Sequence, residues 1–294
     1  MVRASYPFVG LLVMAACDGV FDLTKVSIPI DSTADNDADA DGCPYTMLDP
    51  GANADQDSEL NGADPCPLVT NQDLHDEDGD LVPDACDLCP QLGAAGDDAD
   101  CDQLGAACDP AETMPHERVF FGFGSALGLD VRSNASVTGD QVVIALPGAE
   151  GEYGIATTLT EVPCNAIYET TFTITGTFSE PGYQEAGLRF VDLDKRQWKI
   201  KLVSTSNARL AIGDDVVTYT TDVPLPTTQK IVMRAVWTGT SITATVSGGT
   251  TGTLTAEVGA PAEPVTYGVS AYQDTNPPAM TVKFDYLDRI VPKP

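Results

Sequence analysis

The sequence predicts a mainly β protein, in which an irregular acidic segment precedes a C-terminal two-sheet antiparallel sandwich. Apolar and polar residues alternate with a period of two in many short stretches after residue 116, which is the pattern of strands with one buried face. No stretch has the period of an amphipathic helix. Residues 35–115 are rich in Asp and Cys and poor in large apolar side chains, so they have little material for a hydrophobic core.

The N-terminal residues have the features of a secretion signal. Arg3 supplies positive charge, and the apolar run Phe8–Ala15 is too short to span a bilayer. Small residues followed directly by Cys17 resemble the lipobox of bacterial lipoproteins. That resemblance implies a signal peptide over residues 1–16, acylation of Cys17 and a lipid-anchor linker over residues 17–34. An ordinary signal peptide is the alternative.

Both alternatives place the mature protein outside the cytoplasm, where disulfides persist. In the first, the N-terminal lipid attaches the protein to a membrane of the bacterial envelope or to the cell surface.

The negative charge is concentrated in one segment. The chain has a formal net charge of -29, and no Lys or Arg lies between Lys25 and Arg118. The stretch Asp31–Asp109 contains 22 of the 44 acidic residues. Repulsion among these carboxylates opposes compaction, so the segment is either a disordered acidic linker or is neutralised by cations. Nucleic acid is excluded as a partner, because its binding requires clustered Lys and Arg.

The cysteines predict disulfides in the acidic segment. Of the eight Cys, six lie there and can pair in several ways that the sequence does not distinguish. They are Cys43, Cys66, Cys86, Cys89, Cys101 and Cys108. Zinc is an alternative for the Cys86-x-x-Cys89 pair, but the chain has only two His, and the neighbouring Asp residues suit harder cations. Cys164 is predicted to be a buried or strand-end residue.

The best metal-binding motif is the twelve-residue run D-E-D-G-D-L-V-P-D-A-C-D. Its carboxylates stand at positions 1, 3, 5, 9 and 12, and position 7 would contribute its backbone carbonyl, as in an EF-hand-type calcium loop. Alternate residues of a tightly curled loop can direct oxygens inward, and calcium takes about six to eight of them. The predicted ligands are Asp76, Asp78, Asp80, Val82, Asp84 and Asp87.

Three other acidic runs are weaker candidates. Their residues are Asp37, Asp39 and Asp41; Asp55, Asp57 and Glu59; and Asp98, Asp100, Asp102 and Asp109. The second run has Ala63 at its ninth position when it is counted from Asp55, and the last has Ala106 there. We therefore expect one good calcium site and two or three weaker ones, with a solvated acidic linker as the alternative.

The sequence D-A-C-D-L-C-P, which ends the best loop, carries a resemblance. The region from about Asp35 to Pro110 resembles thrombospondin type 3 repeats, in which calcium loops and disulfides substitute for a hydrophobic core. The resemblance implies a stalk over residues 35–115, rigidified by structural calcium. Extracellular calcium modules bind with dissociation constants of about 10⁻⁴–10⁻³ M.

The C-terminal residues predict at least nine strands. In Arg196–Ser204, Trp198 and Ile200 would face one side of a sheet, and both Trp198 and Trp237 are predicted to lie in the core. The other predicted strands are Val119–Phe123, Gln141–Leu146, Tyr168–Ile174, Ala186–Leu193, Ile231–Trp237, Ser241–Val246, Thr266–Tyr272 and Thr281–Ile290.

The order of these strands, which closes with Y-G-V-S-A-Y and F-D-Y-L, resembles the concanavalin A-like jelly roll in its laminin G-like branch. The resemblance covers about Glu117 to Val291 and implies a jelly-roll sandwich over residues 116–294. It also implies a recognition role with a glycan or protein ligand. Candidate aromatic residues for such a surface are Tyr153, Tyr168, Tyr183, Tyr219 and Tyr272, with packing within the sheets as the alternative for most of them.

Some enzymes of this class carry an E-x-D-x-E strand, which this chain lacks, so we expect no enzyme activity. The nearest pattern, Asp192-x-Asp194, lies at a predicted turn. Together the sequence predicts a calcium-binding surface lipoprotein whose acidic stalk presents a recognition domain. A carbohydrate-active enzyme and a passive spacer that binds no calcium are the alternatives.

Overall fold

The computed structural model describes part of the chain. The described residues are 48–69, 75–124, 129–147, 151–161 (backbone only), 166–176, 178, 183–192, 194, 196–204, 208–214, 218–227, 229–259, 265–274 and 278–293. The predicted signal peptide, Cys17, the run Asp37–Asp41, Cys43 and Cys164 lie outside them.

Within the described ranges the chain forms fifteen β-strands and no helix, and therefore no helix that could cross a membrane. The strands are β1 His116–Phe121, β2 Leu129–Arg132, β3 Ala135–Val137, β4 Val142–Leu146, β5 Gly151–Glu161, β6 Ala166–Gly176, β7 Gln184–Val191, β8 Gln197–Ser204, β9 Ala208–Gly213, β10 Thr218–Val223, β11 Ile231–Thr238, β12 Ser241–Gly248, β13 Gly252–Glu257, β14 Val265–Gln273 and β15 Met280–Pro292.

The strands form two antiparallel sheets. Sheet 1 has the order β13-β12-β11-β6-β15-β4-β3, and β1 pairs with β15 beside it. Sheet 2 has the order β10-β9-β8-β7-β14-β5-β2. Strands β4 to β7 alternate between the sheets along the chain, as do β13 to β15, so that consecutive strands cover opposite sides of one core. The predicted two-sheet antiparallel jelly-roll sandwich is confirmed.

The core follows from period-two alternation. In β11, Ile231, Met233, Ala235 and Trp237 are buried, and the residues between them are less buried. Trp237 of sheet 1 meets Trp198 of sheet 2 edge-to-face, with ring centroids 5.8 Å apart, and this confirms the prediction that both residues are core residues.

The structure distinguishes the two alternatives for Tyr168. Tyr168 was a candidate for an exposed binding face, but it is buried and packs against Phe190 and Tyr267 in the core. Its position on β6 alternates in phase with Phe172 and Ile174, so its side chain lies on the same buried face of the strand.

The segment before the sandwich, which we call the repeat segment (described residues 48–69 and 75–115), has no strand or helix there. Disulfides join Cys66 to Cys86 and Cys89 to Cys108. Cys101 is also disulfide-bonded. The two thiols of the Cys86-x-x-Cys89 pair therefore belong to different disulfides, which excludes zinc at that pair.

The repeat segment packs on sheet 1. Leu104 and the Cys89–Cys108 disulfide form a small buried cluster with Ile290 of β15. The guanidinium of Arg118 on β1 donates to the backbone carbonyls of Asp87 and Leu88, at 2.7 and 2.9 Å. The region that the sequence predicted as a stalk thus lies, over its later part, against the sandwich.

Candidate metal centre

Three twelve-residue loops of the repeat segment share one backbone frame. Loop 1 is Asn53–Asp64, loop 2 is Asp76–Asp87 and loop 3 is Asp98–Asp109. In each, the N–H of position 9 donates to the carbonyl of the residue before position 1. These bonds are Asn61 to Ala52 at 2.9 Å, Asp84 to His75 at 2.8 Å, and Ala106 to Asp97 at 2.9 Å.

This frame differs from the one predicted for the second acidic run. Counted from Asn53, Asp55 and Asp57 fall at positions 3 and 5, Glu59 falls at position 7, and Asp64 falls at position 12. The predicted ligands, counted from Asp55, did not include Asn53 and Asp64. The interval of eleven residues between Asn53 and Asp64, which equals that between Asp76 and Asp87, was the signal that identifies them.

Backbone N–H groups orient the carboxylates in the same way in all three loops. The N–H of position 7 donates to an oxygen of the position 5 Asp, and the N–H two residues after position 12 donates to an oxygen of the position 12 Asp. The first set is Glu59 to Asp57 at 2.6 Å, Val82 to Asp80 at 2.9 Å and Leu104 to Asp102 at 2.8 Å. The second set is Cys66 to Asp64, Cys89 to Asp87 and Ala111 to Asp109, each at 2.8 Å.

Left-handed backbone conformations curl each loop. Position 4 has a positive φ in all three loops, at Gln56 (63°), Gly79 (79°) and Cys101 (64°). Position 6 of loop 2 is Leu81, with a φ of 80°. An L-residue in this region costs about 1–2 kcal/mol, which Leu81 partly recovers because its N–H donates to Asp76 Oδ2 at 3.0 Å. Its side chain is 88% exposed, so it does not crowd the loop interior.

The curled loops bring most of the predicted ligands together. Three groups of carboxylates each have one oxygen per residue within 4.8 Å of the others: Asp55, Asp57 and Asp64; Asp76, Asp78 and Asp80; and Asp98, Asp100 and Asp102. Several buried oxygens in these loops accept no hydrogen bond: Asn53 Oδ1, Asp64 Oδ2, Asp78 Oδ2, Asp87 Oδ2 and both side-chain oxygens of Asp100. Buried unpaired oxygens are costly unless a cation binds them, so these residues could hold metal ions.

The Asp84 side chain makes hydrogen bonds within loop 2 and to His75. Its Oδ1 accepts the N–H of Glu77 at 2.9 Å, and its Oδ2 lies 2.5 Å from Nδ1 of His75. Asp84 and Glu77 stand at positions 9 and 2 of loop 2. In loop 1 the same positions are joined, because Asn61 Oδ1 accepts the N–H of Ala54 at 2.9 Å. Position 9 therefore closes the loop, and Asp84 is not in the carboxylate group of loop 2.

The electrostatics of the loops favour cations. Burial raises the pKa of Asp78 and of Asp87, and the neighbouring carboxylates, including that of Asp80, add to the effect. Burial and the charges of Asp102, Asp109 and Asp98 likewise raise the pKa of Asp100. A bound cation would reverse these shifts, because it stabilises the ionised form.

The junction with sheet 1 positions loop 2. Lys230 Nζ lies 3.2 Å from Glu77 Oε1 and 3.1 Å from Asp285 Oδ2. A cleft of about 620 Å³ lies between the loop and the sheet and includes Asp78 in its lining. The backbone at Gly122 approaches so closely that a Cβ there would lie 2.3 Å from Asp84 Oδ2. A larger residue at position 122 would therefore displace the side chains of Asp84 and His75.

A second polar group lies on the face of sheet 2 opposite the core. Glu185 of β7 is buried although it alternates with core residues, and its Oε1 lies 3.0 Å from Lys199 Nζ of β8. Its Oε2 contacts Lys201 Nζ and accepts a hydrogen bond from the hydroxyl of Tyr183 at 2.6 Å. Burial would raise the pKa of Glu185, but the charges of the two lysines outweigh it and lower this pKa.

No protein-family model matches the chain, and no curated protein matches it. Similar solved structures include a Lotus tetragonolobus seed lectin, with 10% identity and a TM-score of 0.45 over 60% of this chain and 100% of that chain. A Bacillus licheniformis β-glucanase has 11% identity and a TM-score of 0.44 over 60% and 98% of the two chains. A lichenase from a mouse hindgut metagenome has 10% identity and a TM-score of 0.42 over 60% and 99%. At these values the likeness concerns the fold alone and assigns no ligand or reaction to this chain.

These comparisons contradict the prediction that the protein is not an enzyme. The similar structures include glucanases, so the prediction of no enzyme activity does not stand. The missing E-x-D-x-E strand is too narrow a criterion, because it describes one arrangement of catalytic carboxylates. The lack of this strand therefore does not exclude enzyme activity.

Replacement of Glu185 by Gln should destabilise the sandwich in a pH-dependent way. The lowered pKa means that the Glu185 charge stabilises the fold above the ordinary carboxyl pKa, and that this stabilisation is lost as the pH falls through the lowered value. We expect Glu185→Gln to lower the free energy of unfolding by about 1–3 kcal/mol near neutral pH. The difference in the free energy of unfolding between the variant and the parent should shrink in acid. Urea unfolding of both proteins, near neutral pH and in acid, measures it.

The matched control is Asp222→Asn, which removes a carboxylate from an exposed pair with Arg209. Exposed pairs contribute about 0–1 kcal/mol, so this control should change little at either pH. A loss of stability in Glu185→Gln that is equally large in acid would contradict the assignment of the effect to charge.

Proposed function

We propose that the protein binds calcium through the loops of its repeat segment, and that calcium is a structural ion that orders this segment against the sandwich. The observation that carries the proposal is the set of buried carboxylate oxygens that accept no hydrogen bond, at Asp64, Asp78 and Asp87. They recur at positions 3 and 12 of loops with the same backbone frame, which incidental clustering of acidic residues does not explain.

The donor set suits calcium. Loops 1 and 2 offer only oxygen ligands, from several carboxylates, one amide and the position 7 carbonyls of Glu59 and Val82. Oxygen-only sites with many carboxylates select hard cations, and calcium tolerates the irregular geometry of a curled loop. In loop 2 the ligands are Asp76, Asp78, Asp80, the Val82 carbonyl and Asp87. This arrangement is the one expected of thrombospondin type 3-like repeats.

We also propose that the protein is an extracytoplasmic lipoprotein, acylated at Cys17. The Cys66–Cys86 and Cys89–Cys108 disulfides support the extracytoplasmic location. Disulfides of this kind form and persist outside the cytoplasm. Lipid at Cys17 would attach the repeat segment and sandwich to a membrane.

A recognition role of the sandwich is favoured by the polar group on sheet 2. The rings of Tyr183 and Tyr272 lie 6.1 Å apart beside Glu185 and its two lysines. Aromatic rings next to fixed charged groups provide the apolar contact and the hydrogen bonds that a sugar requires. We propose a glycan as the ligand of this face.

Loss of one carboxylate from the loop 2 group should abolish its calcium site. We expect Asp78→Ala, which leaves no side-chain oxygen at position 3, to remove one calcium ion per chain from the binding isotherm and to increase cleavage of the repeat segment by protease in calcium. Asp84→Asn should keep the ion, because an Asn oxygen at position 9 can still accept the Glu77 N–H, as Asn61 does in loop 1. Isothermal titration calorimetry of the oxidised chain with calcium distinguishes the two variants. Equal stoichiometry in the parent and Asp78→Ala would refute this site.

Acylation requires the Cys17 thiol. In a bacterial host fed with an alkyne-tagged fatty acid, the parent should carry the label and fractionate with membranes. Cys17→Ser should lose the label and appear in the soluble fraction, whereas Cys164→Ser should keep it. Labelling of Cys17→Ser at the parent level would show that Cys17 is not the lipid site.

Glycan binding by sheet 2 should depend on Tyr272. On a glycan array, the parent should bind a defined group of oligosaccharides, and Tyr272→Ala should lose about 1–3 kcal/mol of that binding. Tyr219→Ala removes an exposed aromatic from β10 and serves as the control. An array without any signal for the parent would contradict the glycan proposal without bearing on calcium.

A further inference from the structure

Loop 3 differs from the other loops because a histidine lies against its carboxylates. His116 is 2% exposed, and its Nδ1 lies 3.2 Å from Asp109 Oδ1 and 3.5 Å from Asp102 Oδ2. All three side chains are buried, with exposures of 3%, 2% and 0%. One donor atom from each lies within 4.8 Å of the other two. Nδ1 nevertheless has no hydrogen-bond partner.

The sandwich holds His116 in this place. His116 is the first residue of β1 and pairs with Pro292 of β15. The N–H of Lys293 donates to the carbonyl of Pro115 at 2.8 Å, and the N–H of His116 itself donates to Asp102 Oδ2 at 2.5 Å. Both the backbone and the ring of His116 are therefore fixed against loop 3, by contacts that loops 1 and 2 do not share.

The other histidine provides a contrast. His75 Nδ1 makes a hydrogen bond of 2.5 Å with Asp84, the residue that closes loop 2. Its ring is thus used in a hydrogen bond outside the carboxylate group. His116 has an equally close acidic environment, but the direction of its ring leaves Nδ1 without such a bond.

The spacing of the donors fits a small transition-metal ion. Ligands at about 2.0–2.2 Å from a tetrahedral zinc ion lie about 3.3–3.6 Å from one another. The distances from His116 Nδ1 to the two carboxylate oxygens, 3.2 and 3.5 Å, are close to this spacing. Imidazole nitrogen is a ligand that zinc and its neighbours in the first transition row accept, whereas calcium sites are built from oxygen.

We propose that loop 3 binds a divalent transition-metal ion of the zinc type, through one carboxylate oxygen each of Asp102 and Asp109 and through Nδ1 of His116. Asp98 and Asp100 lie next to this group and can supply a further oxygen. The ion would join the repeat segment to the first strand of the sandwich. The chain would therefore hold two kinds of metal site, oxygen-only sites in loops 1 and 2 and a mixed site in loop 3.

Zinc titration of the oxidised full chain, in the presence of millimolar calcium, tests the proposal. We expect the parent and His75→Gln to bind one zinc ion per chain. His116→Gln should bind it at least about tenfold more weakly, because outer-sphere changes alone cost about tenfold to a hundredfold. No zinc uptake in calcium, or equal uptake by His116→Gln and the parent, would overturn the proposal.

X-ray absorption of zinc bound to His75→Gln gives a second result that does not require the His116 variant to fold. The chain has two His, so in this variant any imidazole signal comes from His116. We expect one imidazole nitrogen at about 2.0–2.1 Å from zinc, and a shell of oxygen alone would refute the site. Failure of calcium to bind loops 1 and 2 would leave this result unchanged, since the imidazole signal reports loop 3 only.

Discussion

Repulsion among carboxylates held inside the repeat loops is the constraint on which the rest of this segment depends. Backbone N–H groups fix one oxygen of the position 5 and position 12 carboxylates, and other oxygens remain buried without a partner. Such an arrangement is unfavourable without a cation. Folding of the segment and binding of metal would then be one event, as in other small domains that have ions and disulfides in place of a core.

The loops are also coupled to the sandwich. Arg118 of β1 donates to the carbonyls of Asp87 and Leu88, directly at the end of loop 2, and Leu104 of loop 3 is buried against Ile290. The geometry of two loops is therefore set in part by strands that are distant in sequence. Burial lowers the pKa of Arg118, although the carboxylates of Asp288 and Asp87 oppose this effect. A guanidinium at this junction keeps its charge even so, because its ordinary pKa is far above neutrality.

The sequence was sufficient where a pattern is local. Strict alternation located β11 and the strand that carries Trp198, and the spacing of Asp76, Asp78 and Asp80 located the loop 2 group. The frame of loop 1 was missed because Asn53 stands at position 1, where loop 2 has an Asp, although the interval from Asn53 to Asp64 repeats that of loop 2. The role of Asp84 was missed because His75 competes for its carboxylate. The docking of the repeat segment on sheet 1 arises from contacts between distant residues, and alternation and spacing carry no information about them.

The position of β15 has a consequence for the order of events during synthesis. Residues 280–292 pair with β6, β4 and β1, so the middle of sheet 1 is missing until this last described strand is available. Contacts between residues so far apart in sequence slow folding. Sheet 1 of the nascent chain therefore cannot be completed until residues 280–292 have been synthesised. Strand β1, which begins at His116, pairs with β15. The contacts of His116 with loop 3 therefore form only after β15 has been synthesised.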